Sequence, residues 1–223
     1  MNLRFRVDGE GLIEPAIRRL VLAGFAGREP RDVEAHIEEM ARHGVKRPTF
    51  VPSLWPVMPH LLTQAASIEV FGADTAPEVE YVLFTWRGET YVTVGNDQCD
   101  IAVERDLGAD KSKNLCQKVV ALDAWGLEDV RPHWDELVLT LACNGSVMQE
   151  GKLAGLLRPD VLLDVLARLT DFDHEARMVF SGTIATNGAY PPGPYRLDFA
   201  LTDPVRERSI AHTVTVEMLQ SLH

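Results

Sequence analysis

Apolar residues recur at every second position along much of this chain. "NLRFRV" (2–7) alternates in this way, which puts one set of side chains on each face of a strand. "RRLVLAGF" is a short apolar run of the kind found in buried strands. "IEVFG", "VEYVLFTW", "TYVTVG", "KVVALDA", "ELVLTLACNG", "ARMVFSGTIA", "YRLDFALTD" and "SIAHTVTVEML" read as further strands separated by turn residues. Two segments change to helical spacing. In "EPRDVEAHIEEMARHG", Val33, Ile37 and Met40 share a face, Pro30 stands near the start and Gly44 at the end, which predicts a helix over 31–43. "RPDVLLDVLARL" predicts a second helix over 158–169, with its Leu and Val stripe serving the core. No repeat, low-complexity tract or linker interrupts the pattern. The expectation is one domain, 1–223, of α+β class and mainly β, antiparallel or rolled.

One predicted strand carries charges where its pattern calls for apolar residues. In "PEVEYVLFTWRGETYVTVGND" (77–97), Glu78 and Glu80 fall on the same face as Val82 and Phe84. Two carboxylates on a half-buried face repel each other and lose hydration, so they require a cation or a proton. If Arg87 and Gly88 form a two-residue loop, Trp86 faces Glu89, Glu80 faces Gly95 and Glu78 faces Asp97. Directly opposed residues project to one side with Cβ atoms about 5 Å apart, so three carboxylates converge and Gly95 leaves room opposite Glu80. A three-residue loop would shift the register and scatter them. An all-oxygen set of this kind suits a hard cation, Mg²⁺ or alternatively Mn²⁺ or Ca²⁺. The plainer reading makes Glu78 a solvated strand-edge residue and Asp97 a turn residue after "GN".

Charge and composition narrow the function classes. The chain has 46% hydrophobic and 25% charged residues, an ordinary globular balance. A net charge of −11 argues against a nucleic-acid or anionic-lipid partner. No run of about 18 apolar residues predicts a membrane span. "MNLRFRVDGEG" turns polar too early for a signal peptide. Three cysteines (Cys99, Cys116 and Cys143) without Cys-x-x-Cys spacing predict neither a disulfide framework nor a thiolate zinc site. A cytoplasmic location is expected. Neither G-x-x-x-x-G-K-[ST] nor G-x-G-x-x-G is present, so no nucleotide loop is indicated.

The ordered motifs resemble the fumarylacetoacetate hydrolase (FAH) superfamily. "EVEYVLF" and "GND" are similar to its metal-binding E-x-E strand and following N-D step. "VLAGFAGREPRDVEAHIEEM" resembles its glycine-containing strand and His-x-x-Glu segment, and "RPTFVPS" the Pro/Phe stretch that follows. "SKNLCQK" is similar to its lysine segment, "LACNGSVMQEGKLAGLL" to its "NG…Q.G" strand-turn, and "SGTIATNG" to its Gly-Thr loop. The likeness runs from about residue 17 to 217. More narrowly, "AHIEEM", "RPTFVPS" and "DPVRERSIAHTV" resemble a bacterial subgroup of uncharacterised proteins built on a domain of unknown function.

The resemblance implies an FAH C-terminal-domain-like mixed β-roll with a few short helices. It implies a metal-dependent enzyme acting on a small 2-oxo acid or acylpyruvate-like molecule, and a homodimer. Glu78, Glu80 and Asp97 would hold the metal, His36 and Glu39 would activate water, and Lys113 would polarise a substrate oxygen. Gly182 and Thr183 would meet the substrate carboxylate, and Glu104 stands where the family has a substrate-side glutamine. The chain departs from the pattern in a shorter spacer between "EVE" and "GND". It also reads Gln98, Cys99, Asp100, Ile101 where the family carries Ser/Thr, Ala and Arg.

Taken without the resemblance, several of these residues have plain readings. His36 and Glu39 could be a surface pair. Lys113 could be a solvated lysine, with Lys111 a competing candidate two residues away. Cys99 reads as a small filler and Gly182-Thr183 as an ordinary turn.

Overall fold

The computed structural model describes residues 3–42, 46–169 and 176–222, without the side chains of Glu39 and Leu169. The first strands are β1 (Phe5–Val7), β2 (Gly11–Ile13), β3 (Arg19–Gly24), β4 (Ser53–Val57), β5 (Leu62–Thr63), β6 (Ser67–Phe71) and β7 (Thr75–Ala76). They are followed by β8 (Val79–Trp86), β9 (Glu89–Asp97), β10 (Cys99–Asp100), β11 (Lys118–Val120) and β12 (Asp123–Gly126). The last are β13 (Val138–Cys143), β14 (Ser146–Lys152), β15 (Arg177–Phe180), β16 (Tyr195–Asp203) and β17 (Arg208–Leu219). The α-helices are α1 (Pro30–Arg42), α2 (Ile101–Leu107), α3 (Ala109–Ser112), α4 (Leu127–Val130) and α5 (Pro159–Leu169). None of the described helices is long and apolar enough to cross a membrane.

The architecture is α+β and mainly β, a mixed β-roll. Among the described residues, ten strands form one sheet in the order β2-β1-β12-β9-β8-β15-β3-β4, with β11 also on β9 and β5 on β11. A five-stranded sheet, β14-β13-β16-β17-β6, packs against it. One core lies between the sheets, where Tyr81, Leu83 and Val94 meet Leu139, Phe199 and Val214. A second core covers the opposite face of the larger sheet, where Val82 and Phe84 meet Phe5, Leu22 and Phe180. The β8–β9 hairpin is therefore buried on both sides, which is why "YVLF" is an unbroken apolar run.

Local chemistry explains most boundaries. Arg87 (φ 52°) and Gly88 (φ 83°) form the two-residue hairpin loop, matching the right-handed twist of β8 and β9. Asn144 (φ 49°) and Gly145 (φ 83°) do the same between β13 and β14. α1 buries Val33 and Ile37, as its spacing predicts, while the expected Gly44 stop lies outside the described residues. "KVVALDA" is divided into β11 and β12, which share one edge of β9. "ARMVFSGTIA" is extended strand only as far as Phe180, and Gly182, at φ 85°, lies in the loop that follows. The helix over 101–107 begins at Asp100, whose side chain accepts the Val103 N–H at 2.9 Å. Asp100 in the departing "QCDI" segment is thus a helix cap.

Candidate metal centre

The hairpin register is the one that brings the acids together. Trp86 pairs with Glu89 and Glu80 with Gly95. The Asp97 N–H donates to the Glu78 carbonyl at 2.9 Å. One carboxylate oxygen from each of Glu78, Glu80 and Asp97 lies within 4.8 Å of the others. Glu80 and Asp97 are buried and Glu78 is half-buried. The room opposite Glu80 is taken by the core: a Cβ on Gly95 would stand 2.7 Å from the Phe180 ring and 2.9 Å from the Val119 carbonyl.

Two buried lysines enter the cluster. Lys113 Nζ lies 2.6 Å from Glu78 Oε2 and 2.6 Å from Asp97 Oδ2. Lys118 Nζ lies 2.6 Å from Asp97 Oδ1 and donates to the Gln98 carbonyl at 2.6 Å. Lys118 belongs to β11 and stands directly opposite Asp97 on β9. Lys113 follows α3, its N–H bonded to the Ala109 carbonyl, and the turn directs its side chain inward while Lys111 is exposed. Of the two lysines, it is Lys113 that reaches the carboxylates.

The electrostatics are uneven. Asp97 loses hydration on burial, but Lys113 and Lys118 more than offset this and hold its carboxyl below the ordinary range. Burial pushes Glu80 well above its ordinary value, and repulsion from Asp97 and Glu78 adds to it. Lys113 and the Gly182 N–H, which donates to Glu80 Oε2 at 2.7 Å, oppose that rise only in part. Burial also raises Glu78, to about 7, against the pull of Lys113. Burial alone would lower Lys113, but Asp97 and Glu78 hold it well above its usual value. Three carboxyl groups thus face two ammonium groups, and the carboxyls left without full compensation are Glu78 and Glu80, whose raised values favour holding a proton until a cation replaces it. A hard divalent cation fits this donor set, which offers carboxylate oxygens and neither nitrogen nor thiolate.

The other expected residues are placed as follows. His36 is exposed on α1, with its ring centroid 5.9 Å from that of Phe25. Phe25 lies 6.5 Å from Trp55, and Lys113 Nζ sits 5.9 Å from the Trp55 ring. A chain of ring contacts through Phe25 and Trp55 thus links His36 to Lys113. The Glu39 side chain lies outside the described residues. Glu104 is half-buried on α2, near enough for its charge to help raise Glu78. Gly182 and Thr183, expected to face a substrate carboxylate, turn their donors inward instead. The Gly182 N–H meets Glu80, and the Thr183 hydroxyl donates to the Val79 carbonyl at 2.8 Å. The reason is geometric: β15 ends at Phe180, and the loop after it supplies the bonds its ladder to β8 no longer makes.

Lys118 does not stand out in the sequence, and Gln149 enters there only as the glutamine of the "NG…Q.G" strand-turn, without a role. A lysine opening the apolar "KVV" strand was the available signal for the first. Gln149, fully buried, owes its position to a bulge in β14 that no periodicity announces.

Comparison with known proteins agrees with the fold. The profile of the family described as "Protein of unknown function (DUF2848)" matches residues 23–214. No curated protein matches the chain. The fold is similar to a protein from Burkholderia cenocepacia assigned as a fumarylpyruvate hydrolase, at 18% identity over 99% of this chain and 96% of that one, with a TM-score of 0.67. It is similar to fumarylpyruvate hydrolase from Pseudomonas aeruginosa, a crystal structure in complex with Mn²⁺ and pyruvate, at 15% identity over 99% and 97%, with a TM-score of 0.68. It also resembles 2-hydroxyhepta-2,4-diene-1,7-dioate isomerase from Mycobacterium marinum, at 13% identity over 96% and 80%, with a TM-score of 0.65. With a profile match spanning most of its length, the chain belongs to the DUF2848 family.

Proposed function

We propose that this protein is a divalent-cation-dependent enzyme acting on a small 2-oxo acid or acylpyruvate-like substrate, by hydrolytic cleavage of a C–C bond. The observation that carries the reading is the buried Glu78–Glu80–Asp97 cluster with Lys113 inserted into it. Glu78, Glu80 and Asp97 would hold the ion, Mg²⁺ or alternatively Mn²⁺ or Ca²⁺, and when bound it would supply Lewis-acid stabilisation of an enolate. Two of the three Lys113 donors are directed at Glu78 and Asp97, which leaves one for a substrate oxygen. His36, oriented by Glu39, would take a proton from the attacking water and return it to the departing carbon. Decarboxylase or tautomerase chemistry would use the same residues. The working unit would be a homodimer of single-domain chains.

A binding role without turnover on the same fold is the second reading. It is favoured by the exposed position of His36 on α1. One experiment separates the two. The purified protein is analysed for bound metal and assayed on acylpyruvates with and without EDTA. Turnover that is lost in EDTA, in Glu80→Ala and in His36→Ala supports the enzyme. Turnover untouched by Glu80→Ala would sink the proposed centre, and metal or oxo-acid binding with no turnover in any preparation supports the binding role.

A further inference from the structure

We infer that Gln149 and Thr183 are positioning residues that fix the Glu78–Glu80 pair by holding both main-chain groups of Val79 between them. The inference rests on the metal-centre reading above.

It starts from where a ladder stops. β15 pairs with β8 through Met178–Phe84, Val179–Leu83 and Phe180–Val82, and the Ser181 N–H still reaches the Tyr81 carbonyl at 3.1 Å. At Gly182 the chain leaves. Its φ of 85° suits glycine, and a Cβ there would stand 3.2 Å from the Ala23 carbonyl oxygen. The next main-chain groups on that edge of β8 are the N–H and C=O of Val79, which is fully buried. Left unpaired, each would carry the penalty of a buried polar group without a partner.

Side chains take over the ladder's task. The Val79 N–H donates to Gln149 Oε1 at 2.9 Å, and Gln149 Nε2 donates to Thr183 Oγ1 at 2.9 Å. The Thr183 hydroxyl donates to the Val79 carbonyl at 2.8 Å, closing a ring of three hydrogen bonds. The second Gln149 N–H is satisfied by the Ile184 carbonyl at 2.7 Å. In such a ring each bond polarises the next, so removing one member weakens the rest.

The bulge in β14 is what brings Gln149 to this place. Leu141, an inward residue of β13, faces Gln149, whereas Ala142 faces Val147, so Met148 is extra. An unshifted ladder would set Met148 opposite Leu141 and turn Gln149 outward. With the bulge, a side chain of the five-stranded sheet is pinned to the metal-bearing strand of the other sheet. Val79 links Glu78 to Glu80, so its orientation sets the separation and aim of both carboxylates. The Thr183 hydroxyl proton is committed to Val79, which gives Thr183 a role different from holding a substrate carboxylate.

The test is Mn²⁺ affinity, measured by titration calorimetry on the whole protein. Wild type, Gln149→Leu, Thr183→Val, Thr183→Ser and the remote core variant Ile210→Ala are compared, each with its Tm. Gln149→Leu and Thr183→Val are expected to weaken Mn²⁺ by about tenfold or more, the usual loss when the partner of a metal ligand is removed. Thr183→Ser, which keeps the hydroxyl, retains wild-type affinity. Ile210→Ala lowers Tm and leaves Mn²⁺ affinity alone. Wild-type affinity in Gln149→Leu overturns the inference, and so does an equal loss of affinity in Ile210→Ala. If Gln149→Leu does not fold, the Thr183 Val/Ser pair decides. Thr183→Val with unchanged Mn²⁺ affinity but weakened oxo-acid binding assigns the hydroxyl to substrate and refutes the inference. Failure of wild type itself to take up Mn²⁺ brings down the metal centre, and the positioning role with it.

Discussion

Lys118→Met is the most searching perturbation of the cluster. Lys118 is 0% exposed, and its ammonium lies 2.6 Å from Asp97 Oδ1 and 2.6 Å from the Gln98 carbonyl. Methionine keeps much of the apolar stem but removes the charge. Asp97 is then left with one oxygen facing no cation in a dry site, although Lys113 still holds Oδ2 at 2.6 Å. Breaking one side of a buried pair costs about 3–5 kcal/mol, and the surviving Lys113 contact places this case near 3. The assay is urea denaturation at neutral pH with EDTA present. A double-mutant cycle with Asp97→Asn isolates the pair, and the double variant should be less destabilised than the sum of the singles by about 1 kcal/mol or more. A Lys118→Met cost below about 1 kcal/mol, the level of an exposed ion pair, would refute the account of Asp97 as a buried anion held by two ammonium groups.

Gly95→Ala should destabilise by about 1–3 kcal/mol in thermal unfolding, because its methyl would meet the Phe180 ring and the Val119 main-chain oxygen, of which the latter has no freedom to move aside. Asp100→Ala should cost about 1 kcal/mol through loss of its helix cap and leave Mn²⁺ affinity unchanged, whereas a loss of affinity would make Asp100 part of the centre. Because Glu78 is raised to about 7 and Glu80 well above its ordinary value, Mn²⁺ must displace protons, so affinity should rise as pH increases through 7. Calorimetry in buffers of different ionisation enthalpy reads the released protons directly. Asp203 loses hydration, but contacts to His133, the Arg206 N–H and Arg208 hold its carboxyl below the ordinary value. Its unfolded form binds protons first on acidification, so the stability it contributes is present above its ordinary range and lost as pH falls through and below it; a Tm–pH profile of Asp203→Asn should lack that share of the acid decline.

How far the sequence revealed all this depended on the kind of information each element needed. The hairpin was legible because Arg87-Gly88 specifies a two-residue loop, and that loop alone fixes Asp97 opposite Glu78. Both long helices were legible from their apolar spacing. The short α2 and α3 were not, since the capping role of Asp100 competes with its reading as one more acid beside Asp97. Lys113 in "DKSKN" looks solvated by composition, and only the turn after α3 shows that it is buried. Gln149 was the least legible, because one extra residue in β14 reverses which face its side chain takes. Local signals thus found the acids. The groups that neutralise and orient them arrive through long-range pairing, which leaves little local trace.

The same distinction explains why the site is uneven. A strand buried on both faces cannot carry ionised acids unless each one has a counter-group. Asp97 receives Lys118 from β11 and Lys113 from the turn after α3, and both of its oxygens are engaged. Glu80 receives a main-chain N–H from the loop after β15, and Glu78 shares Lys113 with Asp97. Positive charge is therefore concentrated at one end of the cluster and carboxylate surplus at the other. A fold that only needed to tolerate these acids would be more stable with an apolar residue at Glu80, where desolvation is least compensated. An arrangement that keeps that acid, and aims it through the Val79 ring, makes physical sense as a place for added positive charge.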